Sequence, residues 1–353
     1  MTLSRLLAVG LVLGLVAACA KDGGVAELGT QVPRDGDEIM VAGQLFNTGT
    51  RVVLWTDPDG YDAYRTERRF SKWSEADWDA TVRSGEEGAS VPSEPQRYNT
   101  RFAKPTSLDP LTEDEIEQVR GGGWTLPMLQ DRVDQFVLHY DVCGLSALCF
   151  DVLHDRRGLS VHFLLDIDGT IYQTMDLKER AWHATISNDR SVGIEIANMG
   201  AYALPEDPAE PLLPEWYSFD GRGPYITIPE RMEKRYGPNG GVLDLSIWPL
   251  RPATSTPVVG TILGGDLRQW DLTEPQYEAL IKLTAALNVA LPKVKLDYPR
   301  DADGNAVDPN TLSPEDWEKF QGVLGHWHVQ DNKIDPGPAL DWERVIEGAK
   351  ALR

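Results

Sequence analysis

Close to its C-terminus the chain reads Gly322-Val323-Leu324-Gly325-His326-Trp327-His328-Val329-Gln330-Asp331-Asn332-Lys333-Ile334-Asp335-Pro336-Gly337-Pro338. The apolar start predicts a strand. The histidines, aspartates and lysine that follow, set between glycines and prolines, predict a rigid polar loop at its end. Such a loop is open to three interpretations: a metal site, a charged catalytic loop or a solvated surface loop. The choice depends on whether other segments supply partner residues.

Several upstream segments have the composition of strands. Phe136-Val137-Leu138-His139-Tyr140 is apolar until it ends in a polar pair. Ser160–Asp166 and Thr170–Met175 flank Asp168-Gly169, a dipeptide that favours a tight hairpin turn. Ser191–Asn198 is a further strand and is mostly apolar.

Helical segments alternate with these strands. The expected helices are a short one from Thr112 with Glu115 as its capping box, one around Leu126–Val133, one over 145–157, one from Thr273 with Gln276 through Leu291, a short one from Ser313-Pro314, and one over Trp342–Ala351 capped by Asp341. This order predicts an α/β fold, a central mixed β-sheet with helices packed on it.

The composition restricts the class of function. Hydrophobic residues make up 41% of the 353 residues, enough for a core, and the length suits one large or two modest domains. The 34 basic and 55 acidic residues give a formal net charge of −21. Binding to phosphates needs clustered lysine and arginine, so this charge argues against a nucleic-acid partner.

The N-terminus has the pattern of an export signal. Arg5 precedes an apolar run, Leu6–Val16, which is too short to span a membrane and leads into Ala17-Ala18-Cys19. This end resembles a bacterial lipobox, which implies a signal peptide over 1–18, lipidation of Cys19 and a membrane anchor in the cell envelope. In a Gram-negative cell the expected location is the outer membrane, facing the periplasm. An ordinary signal peptide with an incidental cysteine is the alternative.

The remaining chain divides by composition. Residues 19–37 have the character of a tether, and 38–119 that of an N-terminal extension. In this extension two β-rich runs, up to Phe46 and from Arg51, suggest a hairpin about the turn 47–50. The main domain is expected over 120–352, interrupted by a segment rich in proline and glycine, 201–270, which we interpret as an insertion or lid.

Cys143 and Cys149 are the two cysteines besides Cys19. In an oxidising compartment a close pair favours a disulfide. A cysteine-based zinc site is disfavoured because the sequence has no CxxC partner.

Five motifs occur in the order found in one enzyme family: Phe136–Tyr140, Val161–Gln173, Ala181-Trp182-His183-Ala184, Val192-Gly193-Ile194-Glu195 and 325–338. Together they resemble the zinc amidases that cleave N-acetylmuramoyl-L-alanine bonds, the AmpD or amidase type 2 family, whose fold is shared with peptidoglycan recognition proteins. The resemblance covers roughly residues 120–200 and 270–352. Many peptidoglycan recognition proteins also have a disulfide just after the first strand, where Cys143 and Cys149 lie.

The resemblance assigns one Zn²⁺ ion to His139, His326 and Asp335. The residue types agree with this assignment, because catalytic zinc sites use three protein ligands and keep a fourth position for water. Imidazole suits zinc, and a carboxylate is tolerated. A hydrogen-bonded core histidine is the other interpretation of His139 taken alone.

Further roles follow from the same motifs. Glu195 lies on the opposite face of its strand from two isoleucines and is expected to be the general base. Lys333 would stabilise the oxyanion of the tetrahedral intermediate. The resemblance implies that His183 and Trp182 contact substrate. His328 departs from the commoner family pattern, so it could orient a ligand or replace one.

The expected function is zinc-dependent hydrolysis of the amide bond between N-acetylmuramic acid and L-alanine in peptidoglycan or muropeptides. Two alternatives have the same fold: a peptidoglycan-binding protein that has lost catalysis, and a zinc hydrolase of another peptidoglycan amide.

Overall fold

The computed structural model describes residues 34–64, 98–100, 112, 114–115, 124–207, 209–304 and 306–353. The predicted signal peptide, Cys19, most of the tether and much of the N-terminal extension lie outside these residues. At the start of the expected helix near 112, the Thr112 hydroxyl accepts from the Glu115 amide and the Glu115 carboxylate accepts from the Thr112 amide. This is the predicted capping box.

In chain order the strands are β1 (Glu38–Val41), β2 (Gln44–Asn47), β3 (Val52–Leu54), β4 (Tyr98–Thr100), β5 (Gln135–Tyr140), β6 (Phe163–Leu165), β7 (Ile171–Gln173), β8 (Glu179–Ala181), β9 (Ser191–Ile196), β10 (Ala201–Ala203), β11 (Tyr217–Asp220), β12 (Gly223–Ile226), β13 (Val258–Ile262), β14 (Gly265–Gln269) and β15 (Gly322–Gly325). The helices are α1 (Leu126–Arg132), α2 (Ser146–Phe150, continued as a π-helix over Asp151–Arg156), α3 (Glu230–Tyr236), α4 (Glu274–Ala290), α5 (Pro314–Lys319), α6 (His326–Val329) and α7 (Trp342–Ala351), with short 3₁₀ turns at Thr185–Ser187 and Pro238–Gly241.

A six-stranded sheet in the order β15-β5-β9-β6-β7-β3 forms the centre of the fold. Neighbouring strands pair in parallel except for β6 and β7, which form an antiparallel hairpin, so β7 and β3 run opposite to the other four strands. Gly169 turns this hairpin with a φ of 83°, a left-handed conformation that glycine adopts without a steric penalty. The mixed sheet with packed helices confirms the predicted α/β class.

The alternation of side chains along β5 and β9 separates the core from the site. On one face, Phe136 and Leu138 of β5 and Val192 and Ile194 of β9 are buried in the main apolar cluster with α4 and α7. Residues two apart on a strand share a face, so His139 and Glu195 project to the other side of the sheet. The alternation that builds the core therefore also places His139 and Glu195 on the opposite face of the sheet.

The N-terminal hairpin forms, but its turn lies earlier than the sequence suggested. β1 pairs with β2 around Ala42-Gly43, and β3 joins the central sheet parallel to β7. The Asp176 carboxylate accepts hydrogen bonds from both turn amides, at 2.8 and 2.7 Å. The predicted turn at 47–50 is wrong because β3 buries its three residues in the central sheet instead of pairing with β2.

The segment 201–270 contains a three-stranded sheet in the order β10-β14-β13, a hairpin of β11 and β12, and α3. Its apolar cluster includes Trp216 and Trp270 and is completed by Leu145 and Ile167 from outside the segment. The insertion thus packs against the rest of the chain through a shared core. Among the described helices none combines the length and apolar character required to cross a bilayer.

Candidate active site

Three side-chain atoms converge near the C-terminal ends of β5 and β15. His139 Nδ1 lies 3.0 Å from His326 Nδ1 and 2.8 Å from Asp335 Oδ2, and His326 Nδ1 lies 2.9 Å from the same Oδ2. Both histidines are buried. Two ring nitrogens and one carboxylate oxygen, drawn from positions up to 196 residues apart, form a compact triangle.

Local structure explains why these residues meet. β5 and β15 are parallel neighbours, with Leu138 opposite Gly325 in the register, so His139 and His326 follow paired residues. The chain then turns into α6, and the Trp327 amide donates to the Asp335 carbonyl at 3.4 Å. This bond ties the Asp335 loop back to the beginning of α6.

The triangle suits a zinc ion. In a tetrahedral site with metal–ligand bonds near 2.0–2.1 Å, ligand atoms lie about 3.3 Å apart, so the observed separations require only a small expansion. Burial and the neighbouring His326 lower the pKa of His139 to about 4, which keeps its imidazole neutral. Burial opposes ionisation of Asp335, but hydrogen bonds from both histidines outweigh it, so the pKa of the carboxyl is held below its usual value. Neutral imidazoles and a carboxylate are the protonation states that zinc binds.

The outer nitrogen of each histidine also has a partner. His139 Nε2 lies 3.0 Å from His183 Nδ1, and His183 Nε2 lies 3.2 Å from Ser191 Oγ. His326 Nε2 lies 2.6 Å from Gln330 Oε1. If both Nδ1 atoms face a metal, each Nε2 carries the proton and donates it outward, the arrangement that fixes ring orientation in metal sites.

Glu195 lies directly beside His139 in the parallel register of β5 and β9. Its Oε2 is buried, and within the described part of the chain it has no hydrogen-bond partner. Burial, together with the charges of Asp335 and Asp141, raises the pKa of Glu195 well above its usual value. A carboxylate oxygen with a raised proton affinity and no competing donor can accept a proton from water.

A cavity of about 200 Å³ opens over this cluster. Its walls include the three convergent side chains, Glu195, Lys333, Trp182 and His183. The Trp182 indole N–H is buried and has no acceptor among the described residues. The structure therefore places all seven residues singled out in the sequence for catalysis, metal binding or substrate contact around one cavity.

Residues 129–221 match the family model Amidase_2, described as N-acetylmuramoyl-L-alanine amidase. The chain contains an Amidase_2 domain. The matched segment includes His139, His183 and Glu195, whereas His326 and Asp335 lie beyond its end.

Several solved structures are similar to the chain at low identity. A crystal structure of AmpD is 15% identical, over 73% of this chain and 95% of that chain, with a TM-score of 0.32. The N-acetylmuramyl-L-alanine amidase AmiD from E. coli, in complex with anhydro-N-acetylmuramic acid-L-Ala-D-γ-Glu-L-Lys, is 17% identical over 62% of this chain and 57% of that chain, also with a TM-score of 0.32. The endolysin LysCS from Clostridium intestinale is 15% identical over 63% and 86%, with a TM-score of 0.30. A comparison with curated proteins gives no match.

His328 is not part of the cluster formed by His139, His326 and Asp335. Its Nδ1 accepts the Gly325 amide at 2.8 Å, and its Nε2 donates to the Asp308 carbonyl at 2.8 Å. Both ring nitrogens are thus engaged with backbone, which excludes replacement of a ligand in this structure. The ring instead fixes the junction of β15 and α6, one residue before His326.

The predicted disulfide is absent from the structure. Cys143 and Cys149 are both free and buried. Burial and, to a lesser extent, a hydrogen bond with the Cys143 thiol raise the pKa of Cys149 well above its usual value. The spacing correctly brought the cysteines together, but proximity alone does not determine whether a buried pair is oxidised, so this prediction is wrong for this structure.

Three residues near the cluster escaped the sequence reasoning. Gln330 lies four residues after His326, the helical spacing at which side chains meet. Ser191 and Gly193 share the Glu195 face of β9 by strand alternation. A Cβ at Gly193 would lie 2.5 Å from His183 Nδ1, so glycine leaves the space that the imidazole ring occupies.

Proposed function

We propose that the protein hydrolyses the amide bond between N-acetylmuramic acid and L-alanine in peptidoglycan or muropeptides, with one zinc ion held by His139 Nδ1, His326 Nδ1 and Asp335 Oδ2. The observation that carries the proposal is the convergence of these three atoms beside Glu195, whose Oε2 has no hydrogen-bond partner among the described residues. The Amidase_2 match over residues 129–221 supports the choice of amide bond.

When bound, zinc would supply a Lewis acid for the lactyl carbonyl and would make a nearby water more acidic. Glu195 Oε2 takes a proton from the attacking water as the oxygen–carbon bond forms. The same carboxyl then gives this proton to the departing nitrogen as the carbon–nitrogen bond breaks, so the stem peptide leaves as a free amine. The raised pKa of Glu195 suits a group that must both accept and return a proton.

Lys333 and Trp182 contribute polar groups to the same cavity. The Lys333 ammonium would stabilise negative charge that develops on the carbonyl oxygen. The Trp182 indole N–H would donate to a carbonyl of the sugar or of the peptide. His183 acts through His139, with which it shares a hydrogen bond.

The test is product analysis by mass spectrometry after incubation with soluble muropeptides and with whole sacculi. We expect free stem peptide from the zinc-loaded protein and none after removal of zinc by a chelator. Asp335→Ala should abolish release, whereas Asp331→Ala, an exposed carboxylate in the same loop, should leave it unchanged. Binding of muropeptides without release of peptide would contradict the proposal and indicate a binding protein.

We also propose that the protein is anchored in the bacterial envelope through a lipid on Cys19, outer-membrane and periplasm-facing in a Gram-negative cell. The support is the sequence pattern that ends in Ala17-Ala18-Cys19. Cys19→Ser should move the full-length protein from the membrane fraction to the soluble fraction. Retention of this variant in the membrane would overturn the lipid anchor.

A further inference from the structure

Gln269, at the end of β14 in the insertion, is a fully buried polar residue with three hydrogen bonds. Its Nε2 donates to the Pro336 carbonyl and to Asn198 Oδ1, both at 3.1 Å. Its Oε1 accepts the Ala339 amide at 3.1 Å. The bonds to Pro336 and Ala339 hold the loop that begins at Asp335 at two points.

The third bond reaches the ends of the strands that carry the other site residues. Asn198 lies three residues after Glu195, and its main-chain N–H donates to Asp141 Oδ1 at 3.1 Å. Asp141 lies two residues after His139. One buried network of amide and carboxyl groups therefore joins the segments that bear His139, Glu195 and Asp335.

Packing allows this loop little freedom. A Cβ at Gly337 would lie 2.0 Å from Gln269 Oε1, and the glycine also has a φ of 84°. On β13, a Cβ at Gly260 would lie 2.8 Å from Pro338 Cβ. Strands β13 and β14 of the insertion thus pack directly against the residues that follow Asp335.

We propose that the insertion is a clamp for the metal-ligand loop and that Gln269 is its positioning residue. This inference rests on the proposed function only in that Asp335 is taken as a metal ligand. Gln269 touches neither the triangle nor the cavity, so its effect reaches the metal through the backbone on either side of Pro336. The insertion then contributes to the chemistry without contacting substrate.

A matched control exists in the same chain. Gln173 on β7 is also fully buried, and its Nε2 donates to two backbone carbonyls, those of Met40 and Met175, while its Oε1 accepts the Met40 amide. Gln269→Met and Gln173→Met therefore remove the same number of hydrogen bonds with the same change of side chain. They differ in whether the lost bonds hold the Asp335 loop.

The experiment measures zinc affinity, by competition with a chromophoric chelator, and amide hydrogen exchange at Gly337, Ala339 and Leu340 in the zinc-free protein. We expect Gln269→Met to weaken zinc binding by at most about 10- to 100-fold, the effect of losing a direct partner of a metal ligand. It should also speed exchange in this segment. Gln173→Met should lower the melting temperature but leave both loop readouts as in the wild type.

Equal zinc affinity and exchange in Gln269→Met and wild type, or equal changes in both variants, would overturn the clamp. If Gln269→Met does not fold, Gly260→Ala decides by the same readouts. Its control is Gly265→Ala on the same sheet, where a Cβ would meet only the Ile262 carbonyl at an ordinary 3.5 Å. A wild type that binds no zinc would refute the proposed function, while the exchange data would still decide whether Gln269 holds the loop.

Discussion

The sequence and the structure suggest different roles for His183. The family resemblance implies that this histidine contacts substrate. In the structure its Nδ1 lies 3.0 Å from His139 Nε2, and its Nε2 lies 3.2 Å from Ser191 Oγ. We predict that His183→Ala weakens metal binding, because the His139 ring then loses the acceptor that fixes its orientation.

The magnitude follows from what the substitution leaves behind. His139 is buried, so its Nε2–H would lose its acceptor in a place with little water. An unsatisfied buried donor costs about 1–3 kcal/mol. Loss of an outer partner of a metal-bound histidine typically weakens metal affinity by about 10- to 100-fold, which corresponds to about 1.4–2.7 kcal/mol. The two figures agree.

The assay is the dissociation constant for zinc, again by chelator competition, measured beside KM and kcat for a soluble muropeptide. Gly193→Ala should act in the same direction, since its Cβ would displace the His183 ring. His154→Ala is the control, because that buried histidine is bonded to the Ala63 carbonyl outside the site. It should lower stability and leave zinc affinity unchanged.

Two outcomes would refute the prediction for His183. If His183→Ala binds zinc as tightly as the wild type and raises only KM, the histidine contacts substrate and does not position His139. If His154→Ala weakens zinc binding to the same degree, the effect reflects general loss of stability.

Three further predictions concern Glu195, the metal and a buried acid. Glu195→Gln should lower kcat by about 10²- to 10⁴-fold, as expected for loss of a general base, with zinc content unchanged; full activity in this variant would exclude that role. Zinc at about 100 times the wild-type dissociation constant should add about 2.7 kcal/mol to the free energy of unfolding of the wild type. A similar gain for Asp335→Ala at the same zinc concentration would contradict the role of Asp335 as a ligand. Burial and Asp168 raise the pKa of Asp166 from 3.8 to about 8, so the native state holds a proton that the unfolded chain releases. The contribution of Asp166 to stability should therefore fall as pH rises from about 4 to about 8, by at most about 1.4 kcal/mol per pH unit. Urea unfolding of Asp166→Asn should show a smaller slope, and an unchanged slope would refute this assignment.

Much of the fold could be predicted because its signals are local. The Thr273 hydroxyl accepts the Gln276 amide and Gln276 Oε1 accepts the Thr273 amide, as a capping box requires, so the start of α4 can be read from four residues. Strand alternation likewise placed Glu195 opposite its isoleucine neighbours. In contrast, the pairing of β3 with β7 joins residues more than a hundred positions apart, and no local pattern specifies it.

The site was predictable as a set of residues but not as a set of contacts. The motifs named His139, His326 and Asp335, and these residues do converge in the structure. His328 and His183 were harder, because the role of a histidine depends on which group lies beside each ring nitrogen. For His328 those groups are backbone atoms of Gly325 and Asp308, the latter in a loop with no motif of its own.

Gln269 is a residue of the insertion whose need for buried hydrogen-bond partners can be inferred from its position in the strand. In β14, Leu267 and Gln269 are buried and share one face, while Arg268 points the other way and is partly exposed. A glutamine on the apolar face of a strand must find hydrogen-bond partners in the interior, so its position already predicts a buried polar network. What the sequence cannot supply is the identity of the partners, since the Pro336 carbonyl and the Ala339 amide are backbone groups with no signature. The proline and glycine content of the insertion therefore indicates loops correctly, and the one polar residue on the apolar face of β14 marks where the insertion is bonded to the loop that follows Asp335.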